Sequence, residues 1–274
     1  MAEEIGLLER IVRAKRVELK QAQQAVPQSV LERNIRPRSP GAFRQALLKR
    51  RAGSAETAII AELKKASPSC GTLCPDYDPA AIARAYEQAG AHAFSVLTDK
   101  EFFGGSLEHL KQVRAAASLP ILRKDFTLSE YHLYEAAAAR ADAVLLIVAI
   151  LSPPQLKQLL EKSRALGLDA LVEVHTEEEL RLALDAGSEI IGVNNRNLKT
   201  FEVSLEVSLR LIDLIPDEVV AISESGLRSA QDLERLRSAG FDAFLIGERF
   251  MTEPDPGAAL AQLLAAVRSR ASVA

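Results

Sequence analysis

The sequence predicts an α/β fold, an eight-stranded parallel (βα)8 TIM barrel with a helical N-terminal extension. Three observations predict it. Short apolar runs recur eight times from about residue 58, their first residues 20 to 34 positions apart and about 26 on average, the length of one strand, one helix and two loops. Helix-like stretches with their own start signals separate the runs. A length of 274 residues suits a single barrel, so residues 1–274 read as one domain, of which 1–55 are the extension.

The extension opens with a helical pattern over 4–22, where Ile5, Leu8, Val12 and Leu19 share a face and Arg and Lys fill the positions between. Pro27, Pro37, Pro40 and Gly41 then read as a punctuated connection. A second short helical pattern covers Phe43–Lys49. The eight strand candidates follow at Ala58–Ala61, His92–Leu97, Pro120–Leu122, Ala143–Ile150, Ala170–Val174, Ile190–Val193, Val219–Ile222 and Ala243–Ile246. Asp78 before Pro79 starts one intervening helix, and Thr127-x-x-Glu130 and Thr176-x-x-Glu179 have the form of capping boxes. Ala89-Gly90, Ala186-Gly187 and Ala239-Gly240 read as helix ends. A doubly wound open sheet is the alternative, but no Gly-x-Gly-x-x-Gly follows any strand.

Composition narrows the function. The 34 basic and 37 acidic side chains give a net charge of −3, which argues against nucleic acid as a partner. Hydrophobic residues are 48% of the chain, enough for a large core. The longest apolar run, Ala141–Leu151, is too short to cross a membrane and contains Asp142. Cys70 and Cys74 cannot form a disulfide framework. With the charged opening Met-Ala-Glu-Glu, which does not resemble a secretory leader, they suggest a cytoplasmic protein. Cys70-x-x-x-Cys74 lacks neighbouring ligands for zinc, and the scattered histidines show no paired metal spacing. His109 and His132 are expected on helix surfaces, and His175 near the barrel mouth is expected to be structural.

Barrel enzymes place their chemistry at the C-terminal ends of the strands. Those ends here read Glu62-Leu63-Lys64 through Ser67, Thr98 through Ser106, Arg123-Lys124-Asp125-Phe126, Glu173-Val174-His175, Asn194-Asn195-Arg196-Asn197, Ser223-Glu224-Ser225-Gly226 and Gly247-Glu248-Arg249. The fourth offers only Leu145, Leu146 and Ile147. Residues two apart on a strand point the same way, so Glu62 and Lys64 enter the mouth together, as do Asn194 and Arg196. Charges of both signs converging there imply an ion network or a polar ligand. Ser225-Gly226 and Gly247 stand where such barrels hold phosphate on backbone N–H groups. Phe103 and Phe126 flank the charges and suit an aromatic ligand.

Taken together, Ile60 through Ser69, Leu122-Arg123-Lys124-Asp125-Phe126, Gly192 through Leu198 and Ser223-Glu224-Ser225-Gly226 resemble the indole-3-glycerol-phosphate synthase family, as do Leu8 through Val12 and Lys15-Arg16 in the opening helix. The resemblance implies ring closure, decarboxylation and dehydration of 1-(2-carboxyphenylamino)-1-deoxyribulose 5-phosphate to indole-3-glycerol phosphate, in tryptophan biosynthesis, without cofactor or metal. It implies that Lys124 is the general acid, Glu173 the general base or proton shuttle, and Lys64 the lysine that binds the substrate carboxylate. Glu62, Asn194 and Glu224 would hold these groups, with Arg196 on the same wall. Ser67, Ser225, Gly226 and Gly247 match phosphate contacts; Phe103, Phe126 and Leu145 match the apolar wall around the anthranilate ring. The partner is then a small phosphorylated substrate bound by a monomer.

Two positions depart from that resemblance: Cys70 stands where the family usually has a basic loop residue, and Arg249 where it usually has a small one. Phosphoribosylanthranilate isomerase, another phosphosugar barrel, is a rival reading, but it uses a cysteine base, and no cysteine ends the first strand. A non-catalytic barrel that binds a phosphorylated ligand is the other.

Overall fold

The computed structural model describes residues 6–36, 39–48, 57–68, 70–198 and 200–271. Its strands are β1 (Ala58–Leu63), β2 (Ala66–Ser67), β3 (Gly71–Thr72), β4 (Ala93–Leu97), β5 (Ile121–Lys124), β6 (Ala143–Ile147), β7 (Asp169–Val174), β8 (Ile190–Asn194), β9 (Val220–Glu224) and β10 (Ala243–Ile246). Eight of them close a barrel in the order β1-β10-β9-β8-β7-β6-β5-β4, every pairing parallel. β2 and β3 form a small antiparallel hairpin in the loop after β1. The expected (βα)8 TIM barrel is therefore the fold.

Among the described residues, three helices precede the barrel: α1 (Leu7–Ala25), α2 (Gln28–Asn34) and α3 (Ala42–Leu48). Nine more follow: α4 (Pro79–Ala89), α5 (Leu107–Ala116), α6 (Glu130–Ala138), α7 (Pro153–Ala165), α8 (Glu177–Asp185), α9 (Glu206–Leu211), α10 (Ala230–Ala239), α11 (Glu248–Met251) and α12 (Pro256–Ala271). The Ala-Gly pairs end α4, α8 and α10 as expected.

Strand periodicity divides the core. Ile59, Ala61 and Leu63 of β1 face the helices, within the larger cluster that also holds Phe94, Val144, Val172, Ile191 and Phe244. Ala58 and Ile60 face the barrel axis with Leu122, Leu145, Leu171, Ile222 and Leu245, closed off by Phe43 and Leu47 of α3. Each buried Leu, Ile, Val or Phe side chain here contributes roughly 1.5–3 kcal/mol. Following the same inward rows toward the strands' C-terminal ends leads to Glu62, Lys124, Glu173, Asn194 and Glu224, so the parity that fills the barrel also aims these polar groups into its mouth.

Several expectations need correction. The opening helix runs from Leu7 to Ala25 rather than over 4–22, and Ile5 lies outside the described residues. Its buried side chains are Ile11 and Lys15. Part of the stretch read as a connection is α2, with Pro27 as its N-cap, because proline suits a helix start. Pro37 and Lys49 lie outside the described residues, and the second helix is Ala42–Leu48. The fourth apolar run is a strand only to Ile147 and then turns as a 3-10 helix, Val148–Ile150. α6 is capped by Ser129, which accepts from Tyr131 N, and not by Thr127. Thr176 does cap α8, but Glu179 turns to His175 instead of completing the box. His132 is buried at 4% exposure: its Nδ1 accepts from Leu128 N and its carbonyl accepts from Arg123. His109 is half-buried, edge-on to Tyr77.

Candidate active site

A cavity of about 580 Å³ opens at the C-terminal ends of the strands. All the site residues expected from sequence line it: Glu62, Lys64, Ser67, Phe103, Lys124, Phe126, Leu145, Glu173, Asn194, Arg196, Glu224, Ser225, Gly226 and Gly247.

Lys124, the last residue of β5, sits at the centre. Its Nζ is 3.7 Å from Glu173 Oε2 and 3.8 Å from Glu224 Oε2. Burial alone would strip its proton, but the charges of Glu173, Glu224 and Glu62 outweigh burial and hold the ammonium well above the ordinary lysine range. Glu224 is pushed the other way. Burial and the neighbouring Glu173 outweigh Lys124 and raise its carboxyl to about 8. Gly192 makes room for it, since a Cβ there would lie 2.1 Å from Glu224 Oε1.

On the next wall Lys64 Nζ lies 2.9 Å from Glu62 Oε1. Burial opposes ionisation of Glu62, yet Lys64 and Lys124 outweigh it and keep the carboxyl below its usual value. Gly247 serves this pair sterically: a Cβ on it would stand 2.3 Å from Glu62 Oε1. A substitution at Gly247 would therefore disturb Glu62 as well as any anion nearby.

The β8 and β9 ends are locked together. Asn194 Oδ1 accepts from Arg196 N at 3.0 Å and from Ser225 Oγ at 2.8 Å. Ser225 and Gly226 both adopt positive φ, +66° and +77°, a costly conformation for serine that functional turns store. Asn195 is 1% exposed; its Nδ2 donates to Ser223 Oγ and to the carbonyls of Glu224 and Ser225, and its Oδ1 accepts from Ser208 N. Arg196 Nη2 binds Glu248 Oε2 at 3.1 Å, which turns that carboxylate toward a cation beside the expected phosphate position. Arg249 also lines the cavity, and its Nη1 is buried without a hydrogen-bond partner among the described residues.

The apolar side is built by Leu145, Ile147 and the rings of Phe103 and Phe126, whose centroids are 6.2 Å apart. Leu7, Leu8 and Ile11 of α1 complete it, together with Leu198, Phe201 and Val203 from the loop after β8. Sequence reading missed the α1 residues: their helical spacing announces a buried face but not what the face covers. His175, read from sequence as structural, has its Nε2 3.5 Å from Glu173 Oε1. Among the described residues no cluster of three or more His, Cys, Asp or Glu is arranged to hold a metal ion, and no helix is long and apolar enough to cross a membrane.

Comparison with known proteins agrees with this geometry. Among solved structures, thiamine phosphate pyrophosphorylase from Pyrococcus furiosus superposes with a TM-score of 0.58 over 78% of this chain and 96% of its own, and a mandelate oxidase with 0.62 over 80% and 74%. At 17% and 19% identity these show the fold alone. Sequence relatives are much nearer. The indole-3-glycerol phosphate synthase of Carboxydothermus hydrogenoformans is 46% identical over 94% of this chain and 99% of its own. That of Desulfotalea psychrophila is 48% identical over 94% and 98%, and that of Ruminiclostridium cellulolyticum 50% over 82% and 85%. The family model for indole-3-glycerol phosphate synthase matches residues 8–263, a span that includes the cavity-lining part of α1 from Leu8 onward and every strand of the barrel, and the chain belongs to that family.

Proposed function

We propose that this chain converts 1-(2-carboxyphenylamino)-1-deoxyribulose 5-phosphate to indole-3-glycerol phosphate, releasing carbon dioxide and water. The observation that carries the reading is the placement of the buried Lys124 ammonium between Glu173 and Glu224, with an aromatic wall on one side and the Ser225-Gly226 turn on the other. That arrangement matches a substrate with a phosphate at one end, an aromatic carboxylate at the other and a carbonyl between them.

The carbonyl oxygen sits at Lys124, whose retained proton neutralises the charge that develops as the ring carbon attacks. Lys64 binds the ring carboxylate, held in place by Glu62. Phe103, Phe126 and Leu145 stack the ring so that the attacking carbon stays within reach of the carbonyl. Loss of carbon dioxide restores the aromatic ring. The hydroxyl left on the former carbonyl carbon then departs as water, taking a proton from an acid, while Glu173 accepts the proton given up in forming the indole. Backbone N–H groups near Ser225, Gly226 and Gly247, with Ser67 and Arg196, hold the phosphate.

The chain has no tryptophan, so the protein itself adds only tyrosine emission to the fluorescence of an indole product. Purified protein given this substrate should produce indole fluorescence with stoichiometric release of carbon dioxide. Substrate binding without either signal would contradict the reading.

A further inference from the structure

Lys124 stands almost midway between two carboxylates, 3.7 Å from Glu173 and 3.8 Å from Glu224. The ammonium therefore does not itself decide which of them carries a proton. A base and a hydrogen-bond donor are nevertheless different jobs, and two close carboxylates are given different jobs by differences in their surroundings.

The surroundings differ at His175, which lies at ion-pair distance from Glu173. Glu173 Oε2 faces Lys124, and its other oxygen, Oε1, faces His175 Nε2 at 3.5 Å. Glu224 Oε1 has no hydrogen-bond partner among the described residues; His175 Nε2 has none either and meets Glu173 at ion-pair distance, so the ring acts on Glu173 through charge. The imidazole is fixed from behind: its Nδ1 lies 3.1 Å from Glu179 Oε2, and the same oxygen accepts from His175 N at 2.6 Å. The titratable groups facing this ring are Glu173 on β7, Glu179 on α8 and Glu224 on β9. β6 and the turn after it, Ala143–Ile150, contribute none. The result is a row, Glu179–His175–Glu173–Lys124–Glu224, running from helix α8 to the barrel axis. His175 does not line the cavity.

We propose that His175 is a positioning residue that selects Glu173, rather than Glu224, as the ionised carboxylate beside Lys124. This rests on the reading of Glu173 as the base of the ring-forming reaction. With Nδ1–H committed to Glu179, a second proton on Nε2 points at Glu173 and stabilises its carboxylate, leaving the proton of the pair on Glu224. A neutral ring with that geometry would instead turn a lone pair toward Glu173 and favour a proton there. Burial disfavours the cationic ring, but the hydrogen bond to Glu179 and the charge of Glu173 outweigh it and raise His175 above its ordinary value.

The test is the pH dependence of kcat for His175→Asn, Glu179→Gln and Glu173→Gln, each checked for native thermal unfolding. In His175→Asn the acid limb of kcat should move to higher pH by about one unit or more, the effect of removing an opposite charge within 4–6 Å, while KM stays within about threefold of wild type. Glu179→Gln, which keeps an acceptor for His175 but removes the charge behind it, should shift the limb in the same direction by less, and it carries the test if His175→Asn does not fold. A profile that superimposes on wild type, or one lowered equally at every pH, would overturn the selection role and leave His175 structural. Glu173→Gln separates the two readings: turnover like wild type would remove Glu173 as base, whereas loss of turnover there with an unmoved limb in His175→Asn would remove only the role of His175.

Discussion

Lys15 Nζ, on the first helix, lies 2.9 Å from Asp125 Oδ1, in the residue that directly follows Lys124. The same ammonium meets Asp99 at 2.9 Å and Glu18 at 2.8 Å, and Lys15 is 1% exposed. Asp125 is further held by Thr98 at 2.5 Å and Arg123 at 3.2 Å, and Arg123 reaches Glu135 at 3.1 Å. Burial would raise the Asp125 carboxyl, but Arg123 and Lys15 outweigh it and hold it far below the usual carboxylate range. The N-terminal extension is thus bonded to the loops after β4 and β5, next to the residue proposed as the acid.

Lys15→Met would leave Asp99 and Asp125 buried without their shared cation. Removing one partner of a buried ion pair typically costs about 3–5 kcal/mol, so urea unfolding at pH 7 should show a loss of that order, with kcat lowered as well because the backbone at Asp125 positions Lys124. A loss under about 1 kcal/mol with unchanged kcat would mean that the helix is anchored by its apolar face alone.

Much of this was legible in the sequence, for a physical reason. A charged residue at a barrel strand's end has an inward or outward direction fixed by parity, so Glu62, Lys124, Glu173 and Glu224 declare themselves locally. Lys15 does not. Its acidic partners are far along the chain, and a lysine between apolar helix positions reads as solvated until the fold brings Asp99 and Asp125 over it. His132 was misjudged similarly, because its partner Arg123 is set by strand and helix packing. α2 was missed because a proline before a helix and a proline in a loop look the same without the helix that follows.

Glu224 yields a prediction on the alkaline side. With its carboxyl raised to about 8, it carries a proton at neutral pH, where it can donate to a substrate hydroxyl. Wild-type kcat should fall above about pH 8 as that proton is lost and a second negative charge appears beside Glu173. Glu224→Gln mimics the neutral form, keeps a donor and should lose this limb. Superimposable alkaline limbs would assign the titration to another group.

His132 makes stability depend on pH. Burial, and then the Arg123 charge, lower it to about 3, whereas an unfolded histidine titrates near 6.5. Between these values the unfolded chain binds the extra proton, so this residue's contribution is complete above about pH 6.5 and is lost as pH falls, by about 1.4 kcal/mol per unit. His132→Asn should flatten the slope of unfolding free energy between pH 6 and 4. An unchanged slope would show that other groups account for it.

Arg249 brings a cation to the lining of the cavity. Its neighbour Glu248 is bonded to Arg196. Arg249→Ser should raise KM several-fold at about 0.01 M salt with kcat little changed, and the difference should shrink at about 0.1 M as the Debye length falls from ~30 to ~10 Å. Equal KM values at both salt concentrations would place the charge outside the substrate's reach.

The most direct measurement is the turnover of Lys124→Met against wild type at saturating substrate, followed by indole fluorescence, with far-ultraviolet circular dichroism to establish that the barrel is intact. Loss of a positioned general acid costs roughly 10²–10⁴-fold, and among the described residues Lys124 is the lysine paired to both carboxylates. The account predicts a folded protein whose kcat falls by at least about 10²-fold; a folded Lys124→Met within about threefold of wild type would contradict it.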